Sequence, residues 1–167
     1  MATVPFDKLG GKLWYNGELV DWDAGRFHIL THGLHYGSCV FEGERAYGGK
    51  IFKHEEHTDR LFRSAEILGM DISYSNKEVL DAGYQSLHAQ GFEDAYVRAV
   101  AWRGSEMMAI SAQQTKTHVA VICWDMGSYF DPEARMAGIK LQWAKYKRPS
   151  PECAPVHAKA AGLYMIC

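Results

Sequence analysis

Residues 95–124 read AYVRAVAWRGSEMMAISAQQTKTHVAVICW, and both ends of this stretch predict strands of a buried sheet. The first run, Ala95–Trp102, is apolar except where Arg98 interrupts it. The second run, Thr117–Trp124, is almost continuously apolar. Short apolar runs rich in β-branched and aromatic residues are typical of strands that lie inside a sheet. The elements on either side of this stretch indicate which fold the sheet belongs to.

Two hairpins are predicted before the first helix. Asn16-Gly17 separates Lys12–Tyr15 from Glu18–Val20, and this dipeptide suits a type I′ turn because both central residues adopt positive φ. Gly48-Gly49 separates Glu44–Tyr47 from Lys50–Lys53 in the same manner. The N-terminal region is therefore expected to supply antiparallel strands.

Two helices are predicted between these hairpins and residue 95. Glu55–Leu68 places apolar residues on one face and is followed by Gly69, a suitable residue just past a helix end. Ser75 and Glu78 form a capping box that begins the second helix, which is expected to run to Gly91.

The order strands, two helices, strands favours an α+β fold. We expect a two-layer domain over residues 1–124, with a mainly antiparallel sheet and helices on one face. Gly and Pro residues predict an interdomain loop at 125–138. The alternating segment Ile139–Trp143 predicts a strand, and 139–167 is interpreted as the truncated start of a second domain. The apolar residues up to Cys167 favour a chain that is part of a longer protein.

Net charge and the length of apolar runs indicate which kinds of partner the protein is not expected to bind. The formal net charge is −2, and no apolar run is long enough to span a bilayer. We therefore expect no nucleic-acid or membrane partner and a cytoplasmic location. The cysteines lack metal-ligand spacing, so free thiols are expected.

The histidines do not form a recognised metal motif. His54-Glu55-Glu56-His57 differs from the zincin pattern HExxH in spacing and in the position of its glutamate. No metal site is predicted, and a metal-binding module remains an alternative that rests on the histidines alone.

Three basic residues are candidates for chemistry. Lys159 has only small neighbours, which leave room for a flat ligand. In an apolar pocket its pKa would fall and the amine would become a nucleophile for aldehydes, or the residue could be a solvated surface lysine. Arg60 lies beside the apolar face of the first helix, where it could bind a phosphate or pair with an acid. Arg98 interrupts a buried strand with Tyr96 on the same side, so both could meet a carboxylate, or the strand face could be exposed.

Taken together, these segments resemble class IV aminotransferases, the fold-type IV pyridoxal 5'-phosphate (PLP) enzymes, and most closely the branched-chain amino acid aminotransferases. The resemblance covers the chain from Leu13 to its last residue and depends on ordered pieces: Trp14–Glu18, His35–Arg45, His54–Leu61, Tyr96–Arg98 and Ala158–Tyr164.

The resemblance implies a PLP site. It implies that Lys159 binds PLP covalently and moves the α-proton of the substrate, that Arg60 binds the phosphate, and that Tyr164 hydrogen-bonds the ring oxygen of the cofactor. The implied reaction transfers the amino group of Leu, Ile or Val to 2-oxoglutarate.

The resemblance also implies a substrate pocket. Tyr96 and Arg98 are expected near substrate carboxylates, Phe41 and Tyr129 beside the apolar side chain, and Tyr36 across a homodimer interface. Asp125 and Met126 stand where many relatives have a tryptophan, which leaves the substrate range open.

Two alternatives stay open. The chain could belong to another fold-type IV group, namely D-amino-acid transaminases, R-amine transaminases or aminodeoxychorismate lyases. It could also be a non-catalytic remnant or dimerisation module. Since the remaining cofactor-binding groups of the family lie in a C-terminal domain, we expect the 167-residue chain alone to have little or no activity.

Overall fold

A computed structural model describes residues 5–127 and 132–165. Its strands are β1 (Lys12–Tyr15), β2 (Glu18–Asp21), β3 (Cys39–Phe41), β4 (Glu44–Tyr47), β5 (Lys50–Ile51), β6 (Ala95–Arg103) and β7 (Thr117–Trp124). Its α-helices are α1 (His32–Tyr36), α2 (His54–Ile67), α3 (Asn76–Gln90) and α4 (Pro132–Ala137). The strands form one sheet in the order β2-β1-β7-β6-β4-β5, and β3 also pairs with β6.

The centre of the sheet is the antiparallel pair β6 and β7. Their register runs from Tyr96 opposite Trp124 to Arg103 opposite Thr117. Every named strand pair is antiparallel. The expected α+β fold with an antiparallel sheet is confirmed.

Both predicted hairpins are present. Asn16 and Gly17 have φ of 48° and 100°, the positive values that a type I′ turn requires. β1 and β2 pair across this turn, and β4 and β5 pair across Gly48-Gly49. The second hairpin is shorter than expected because β5 ends at Ile51, shortly before the chain enters α2.

The long helices have the predicted ends. Ser75 accepts a hydrogen bond from the Glu78 backbone while the Glu78 side chain accepts from the Ser75 backbone, which completes the capping box of α3. Gly91 ends that helix in the left-handed conformation. α2 begins at His54, one residue earlier than predicted, and ends before Gly69.

Burial alternates along β6 and divides the sheet into two faces. Val97, Ala99 and Ala101 lie in the hydrophobic core with residues of α2 and α3, whereas Tyr96 and Arg98 lie on the opposite face and are only partly buried. The core contributions of the two helices are Leu61, Ala65, Val79, Ala82 and Leu87. The helices therefore cover one face and leave the other for the candidate site.

The buried side chain of His54 holds the start of α2 against the sheet and α3. Its Nδ1 donates to Glu44 Oε2 at 2.7 Å, and its Nε2 donates to the Leu80 carbonyl oxygen at 3.0 Å. Because a carboxylate and a carbonyl can only accept, both ring nitrogens carry a hydrogen, and the imidazole is charged. Burial alone would lower the pKa of His54, but the hydrogen bond and charge of Glu44 outweigh it, and the pKa is raised.

The prediction of a strand at Ile139–Trp143 is wrong. This segment has no strand geometry, and Trp143 is 99% exposed. Its alternating pattern indicates an apolar face that would pack against another element, but no strand within the described residues pairs with this segment. The expected loop at 125–138 also contains the short helix α4. None of the described helices has the length and hydropathy that a membrane span requires.

Candidate active site

The backbone of Lys159 is fixed between the sheet and α2. Its amide donates to Ser64 Oγ at 3.0 Å, and its carbonyl accepts from the Phe41 amide at 3.2 Å. Ala160 forms an antiparallel bridge with Val40. Ala158 and Ala160 are buried in the core, so the intervening Lys159 side chain points to the other side. The small neighbours of the lysine thus let its segment pack closely against β3 and α2.

The Lys159 ammonium lies among aromatic rings. Nζ donates a hydrogen bond to Tyr164 Oη at 2.7 Å, and it lies 4.6 Å from the centre of the Phe41 ring and 4.9 Å from that of Tyr164. The two rings are themselves 5.0 Å apart. No acidic side chain in the described ranges pairs with this amine. A partly covered amine beside a hydroxyl is suited to react with a carbonyl group.

Arg98 brings a second cation to the Phe41 ring. Its guanidinium lies 4.6 Å from the centre of that ring, and its Nη2 donates to Tyr96 Oη at 2.8 Å. Its Nε is buried and has no hydrogen-bond partner among the described residues. A buried guanidinium nitrogen without an acceptor indicates a place for an anionic ligand.

Gly43 allows Tyr96 to reach this position. A Cβ atom built on Gly43 would overlap Tyr96 Oη and lie 3.1 Å from Cζ. The backbone at residue 43 does not have positive φ, so space, rather than conformation, requires glycine there. The lack of a side chain on Gly43 therefore sets the location of the Tyr96 hydroxyl.

The open sheet face changes from charged to apolar along β6. Val100 and Trp102 follow Arg98 on this face and line a cavity of about 320 Å³, which extends to Ala161. This face of β6 therefore carries a cation at Arg98 and an apolar cavity next to it along the strand.

The Arg60 guanidinium is paired with a buried carboxylate. Its Nε and Nη2 donate to the two Glu42 oxygens, each at 2.6 Å. His57 Nδ1 donates to Glu42 Oε2 at 2.8 Å. The hydrogen bonds to Glu42 are the main reason that the pKa of Arg60 is raised, and Tyr164 contributes through its charge. Of the two interpretations of Arg60, the ion pair is therefore present, and the guanidinium also lies within electrostatic range of Tyr164.

Arg60 and Lys159 belong to the same region of the molecule. Ser64, which binds the Lys159 amide, lies one helical turn after Arg60 on the same face of α2. Tyr164 is hydrogen-bonded to Lys159 and contributes to the raised pKa of Arg60. The contact between Ser64 and the Lys159 backbone thus brings the lysine segment to the part of α2 that carries Arg60.

The remaining predicted residues are not part of this cluster. Tyr36 is 47% exposed, and its ring packs 4.7 Å from that of His32. Tyr129 lies outside the described residues. The residues that the structure brings together are Phe41, Arg60, Tyr96, Arg98, Lys159 and Tyr164.

Sequence reasoning missed Glu42, His57 and Ser64. The spacing of His57, Arg60 and Ser64 at three and four residues could have placed them on one face of α2. Glu42, between β3 and β4, gave no comparable signal, because only the tertiary fold buries it beside that helix face.

Burial disfavours the reactive thiolate form of Cys39 and Cys123. Cys39, Cys123 and Cys153 are free thiols in the described part of the chain. Burial raises the pKa of Cys39 to about 11, although Arg98 acts in the opposite direction, and it raises that of Cys123 to about 12. A thiol with so high a pKa is almost entirely protonated at neutral pH.

Comparison with known proteins agrees with this geometry. The family described as Amino-transferase class IV matches residues 39–165. A branched-chain-amino-acid aminotransferase from Pseudomonas aeruginosa is 42% identical over 159 residues, which are 93% of this chain and 52% of that protein. The chain spans about half the length of the curated relatives it matches.

Solved structures give the same result. The Escherichia coli branched-chain amino acid aminotransferase superposes with a TM-score of 0.84 at 30% identity, over 95% of this chain and 54% of that one. A T.th. branched-chain amino acid aminotransferase with pyridoxamine 5'-phosphate gives a TM-score of 0.88 at 32% identity, over 93% and 53%. This chain belongs to the class IV aminotransferase family.

Proposed function

We propose that the protein carrying this chain is a PLP-dependent transaminase that exchanges amino groups between the branched-chain L-amino acids Leu, Ile and Val and 2-oxoglutarate. The observation that carries the proposal is the Lys159 amine, which lies over Phe41 and bonds to Tyr164, while its backbone is held by Ser64, one helical turn after Arg60. Relatives that match almost the whole chain are named as aminotransferases of this type.

The residues present fit the cofactor. An amine can react with the aldehyde of PLP, a phenol can bond to its ring oxygen, and a guanidinium can bind its phosphate. Lys159 and Tyr164 are in contact, and Arg60 lies one helical turn before Ser64, which binds the Lys159 backbone. Lys159, Tyr164 and Arg60 would hold PLP there. When bound, PLP supplies the electron sink that makes the α-hydrogen of an amino acid acidic.

The chain's own residues supply position and proton transfer. The Lys159 amine is the group that accepts and returns the substrate α-proton, since it is the basic nitrogen at the site. Tyr164 Oη orients that amine through the 2.7 Å hydrogen bond. The Phe41 ring, whose centre lies 4.6 Å from Nζ, covers one side of the amine.

Two kinds of substrate side chain must use the same pocket. We assign the carboxylate of glutamate or 2-oxoglutarate to Arg98, whose buried Nε lacks an acceptor among the described residues, and to the neighbouring Tyr96 hydroxyl. Phe41 and Tyr129 are proposed to line the apolar side-chain pocket. Burial of an aliphatic side chain there would contribute about 1.5–3 kcal/mol.

Assembly, domain limits and location are also part of the proposal. Tyr36 is exposed on α1, and we propose that it completes the site of a partner subunit in a homo-oligomer. We propose that residues 1–124 form the first domain, 125–138 connect it to the second, and 139–167 begin the second. The enzyme would act in the cytoplasm.

The test is a cofactor and donor assay on the purified full-length protein that carries this chain. PLP binding is followed by absorbance, and amino transfer to 2-oxoglutarate is measured with L-leucine, D-alanine and an R-amine as donors. Turnover with L-leucine that disappears in Lys159→Ala supports the proposal. Preference for D-alanine or the R-amine assigns the chain to another group of the fold type, and a protein that binds no PLP is a non-catalytic module.

A further inference from the structure

Glu42 is a fully buried carboxylate near the site, and the reaction proposed above gives it no role. Both of its oxygens accept hydrogen bonds, two from Arg60 and one from His57. Its backbone amide also donates to the Ala99 carbonyl in the sheet. Burial of a carboxylate has a high free-energy cost, and here Arg60 and His57 offset that cost.

The way Arg60 meets Glu42 leaves part of the guanidinium free. Nε and Nη2 form one edge of the planar group, and both are used by Glu42. The other edge, made by Nη1 and the outer hydrogen of Nη2, is available for a second anion. The Arg60 side chain is 45% exposed, and Nη1 donates no hydrogen bond to any other described residue.

We propose that Glu42 is a positioning residue that fixes the Arg60 guanidinium so that its free edge binds the phosphate of the cofactor. The proposal rests on the PLP function given above. A guanidinium on a flexible stem loses side-chain entropy when it binds an anion, and the Glu42 carboxylate removes that loss in advance. Two short hydrogen bonds from one guanidinium to one carboxylate define both the plane and the rotation of the group.

His57 keeps Glu42 in place. Because a carboxylate can only accept, His57 Nδ1 carries the hydrogen of their 2.8 Å bond. The same nitrogen is 3.4 Å from Arg60 Nη2, so the histidine and the arginine approach one carboxylate oxygen side by side. His57 and Arg60 are three residues apart on α2, and the helix therefore holds them at a fixed spacing.

The test compares cofactors with and without a phosphate. Dissociation constants of PLP and of pyridoxal are measured by absorbance for the wild-type protein, Glu42→Gln, Arg60→Ala and the double variant. Glu42→Gln should weaken PLP binding by about tenfold, the loss expected for one oriented charge-assisted contact, and leave pyridoxal binding unchanged. In the Arg60→Ala background, the same substitution should change PLP binding by less than about twofold.

Controls separate orientation from folding. Glu66→Gln, on the exposed side of α2, should change neither constant. If Glu42→Gln does not fold, Glu42→Asp keeps the charge but shortens the side chain, and it should show the same phosphate-selective loss. Thermal unfolding of each variant identifies those that fold.

Each outcome decides between the two proposals. Equal weakening of PLP and pyridoxal, or an equal effect with and without Arg60, overturns the role of Glu42. If Arg60→Ala leaves the dissociation constants of PLP and pyridoxal unchanged, Arg60 does not bind the cofactor phosphate, and its assignment as a cofactor-binding residue is wrong. If Arg60→Ala is phosphate-selective and Glu42→Gln has no effect, only the positioning inference fails.

Discussion

The ammonium of Lys159 donates a 2.7 Å hydrogen bond to Tyr164 Oη, and the two residues stand at either end of a tight turn of small and apolar residues. The Phe41 ring contacts both. This relationship makes Tyr164 the residue that orients the amine, and it explains why a lysine that lies partly in solvent has a defined position.

Tyr164→Phe should lower amino transfer by about 10- to 100-fold. The substitution keeps the ring against Phe41 and removes the hydroxyl, and hydrogen bonds to charged groups are worth about 1.5–3 kcal/mol. The measurement is kcat/KM with L-leucine. Tyr146→Phe is the matched control on an exposed tyrosine and should have no effect. Equal rates for Tyr164→Phe and the wild type would contradict this role.

Arg98→Gln should separate the two substrates. The buried Nε of Arg98 has no acceptor among the described residues, so we propose that the guanidinium binds a side-chain carboxylate, whereas an aliphatic side chain does not need it. We expect kcat/KM for glutamate to fall at least about tenfold more than that for leucine, the effect of losing about 1.4 kcal/mol of charge-assisted bonding. Arg26→Gln serves as an exposed control. A parallel loss for both substrates would show that Arg98 acts on the fold or on a group the substrates share.

Gly43→Ala should displace the Tyr96 hydroxyl. The new methyl group would occupy the space that Oη now fills, and overpacking of this kind costs about 1–3 kcal/mol. The expected result is a higher KM for glutamate together with a lower melting temperature. Adding Tyr96→Phe removes the clashing oxygen and should restore stability without restoring glutamate binding. Gly10→Ala, where a Cβ meets nothing within 4 Å, is the control.

The buried pair of His54 and Glu44 should make stability depend on pH. The pKa of His54 is raised above its ordinary value of 6.5, so its contribution is fully present below that pH and is lost as the pH rises through the folded-state pKa. Urea unfolding across this range should show the wild-type advantage over His54→Asn shrinking above pH 6.5. His88→Asn, on the exposed side of α3, should leave the wild-type pH dependence intact. A constant difference between wild type and His54→Asn would rule out the charged pair.

Removal of the histidine should also lower stability at low pH. His54→Ala leaves Glu44 buried without its partner, and breaking a buried pair in this way costs about 3–5 kcal/mol. The free energy of unfolding from urea titration, at a pH just below the ordinary pKa of histidine, is the measurement. The double variant His54→Ala/Glu44→Gln should recover part of the loss, because it removes the unpaired charge. No recovery would mean that cavity formation, and not charge, causes the loss.

Short sequence patterns correctly predicted the turns and helix ends whose conformation depends on neighbouring residues alone. Asn16-Gly17 and the Ser75–Glu78 box each specify a backbone conformation over a few residues, and both are present as expected. Ile139–Trp143 also has an alternating pattern, but it is exposed and pairs with no strand among the described residues. An alternating pattern predicts which face of a strand would be buried, but it does not show that another element packs against that face.

The sequence by itself determined the α+β class, the ordered segments of the family and the identity of Lys159, Arg60, Tyr96 and Arg98 as candidates. Only the tertiary structure decided their environment: that Lys159 bonds to Tyr164, that Arg98 has a buried Nε without an acceptor in the described part of the chain, and that Arg60 pairs with Glu42. The physical reason is distance along the chain. Glu42 and Arg60 are 18 residues apart, and Ser64 and Lys159 are 95 apart, so their contacts exist only once the sheet and α2 have packed together.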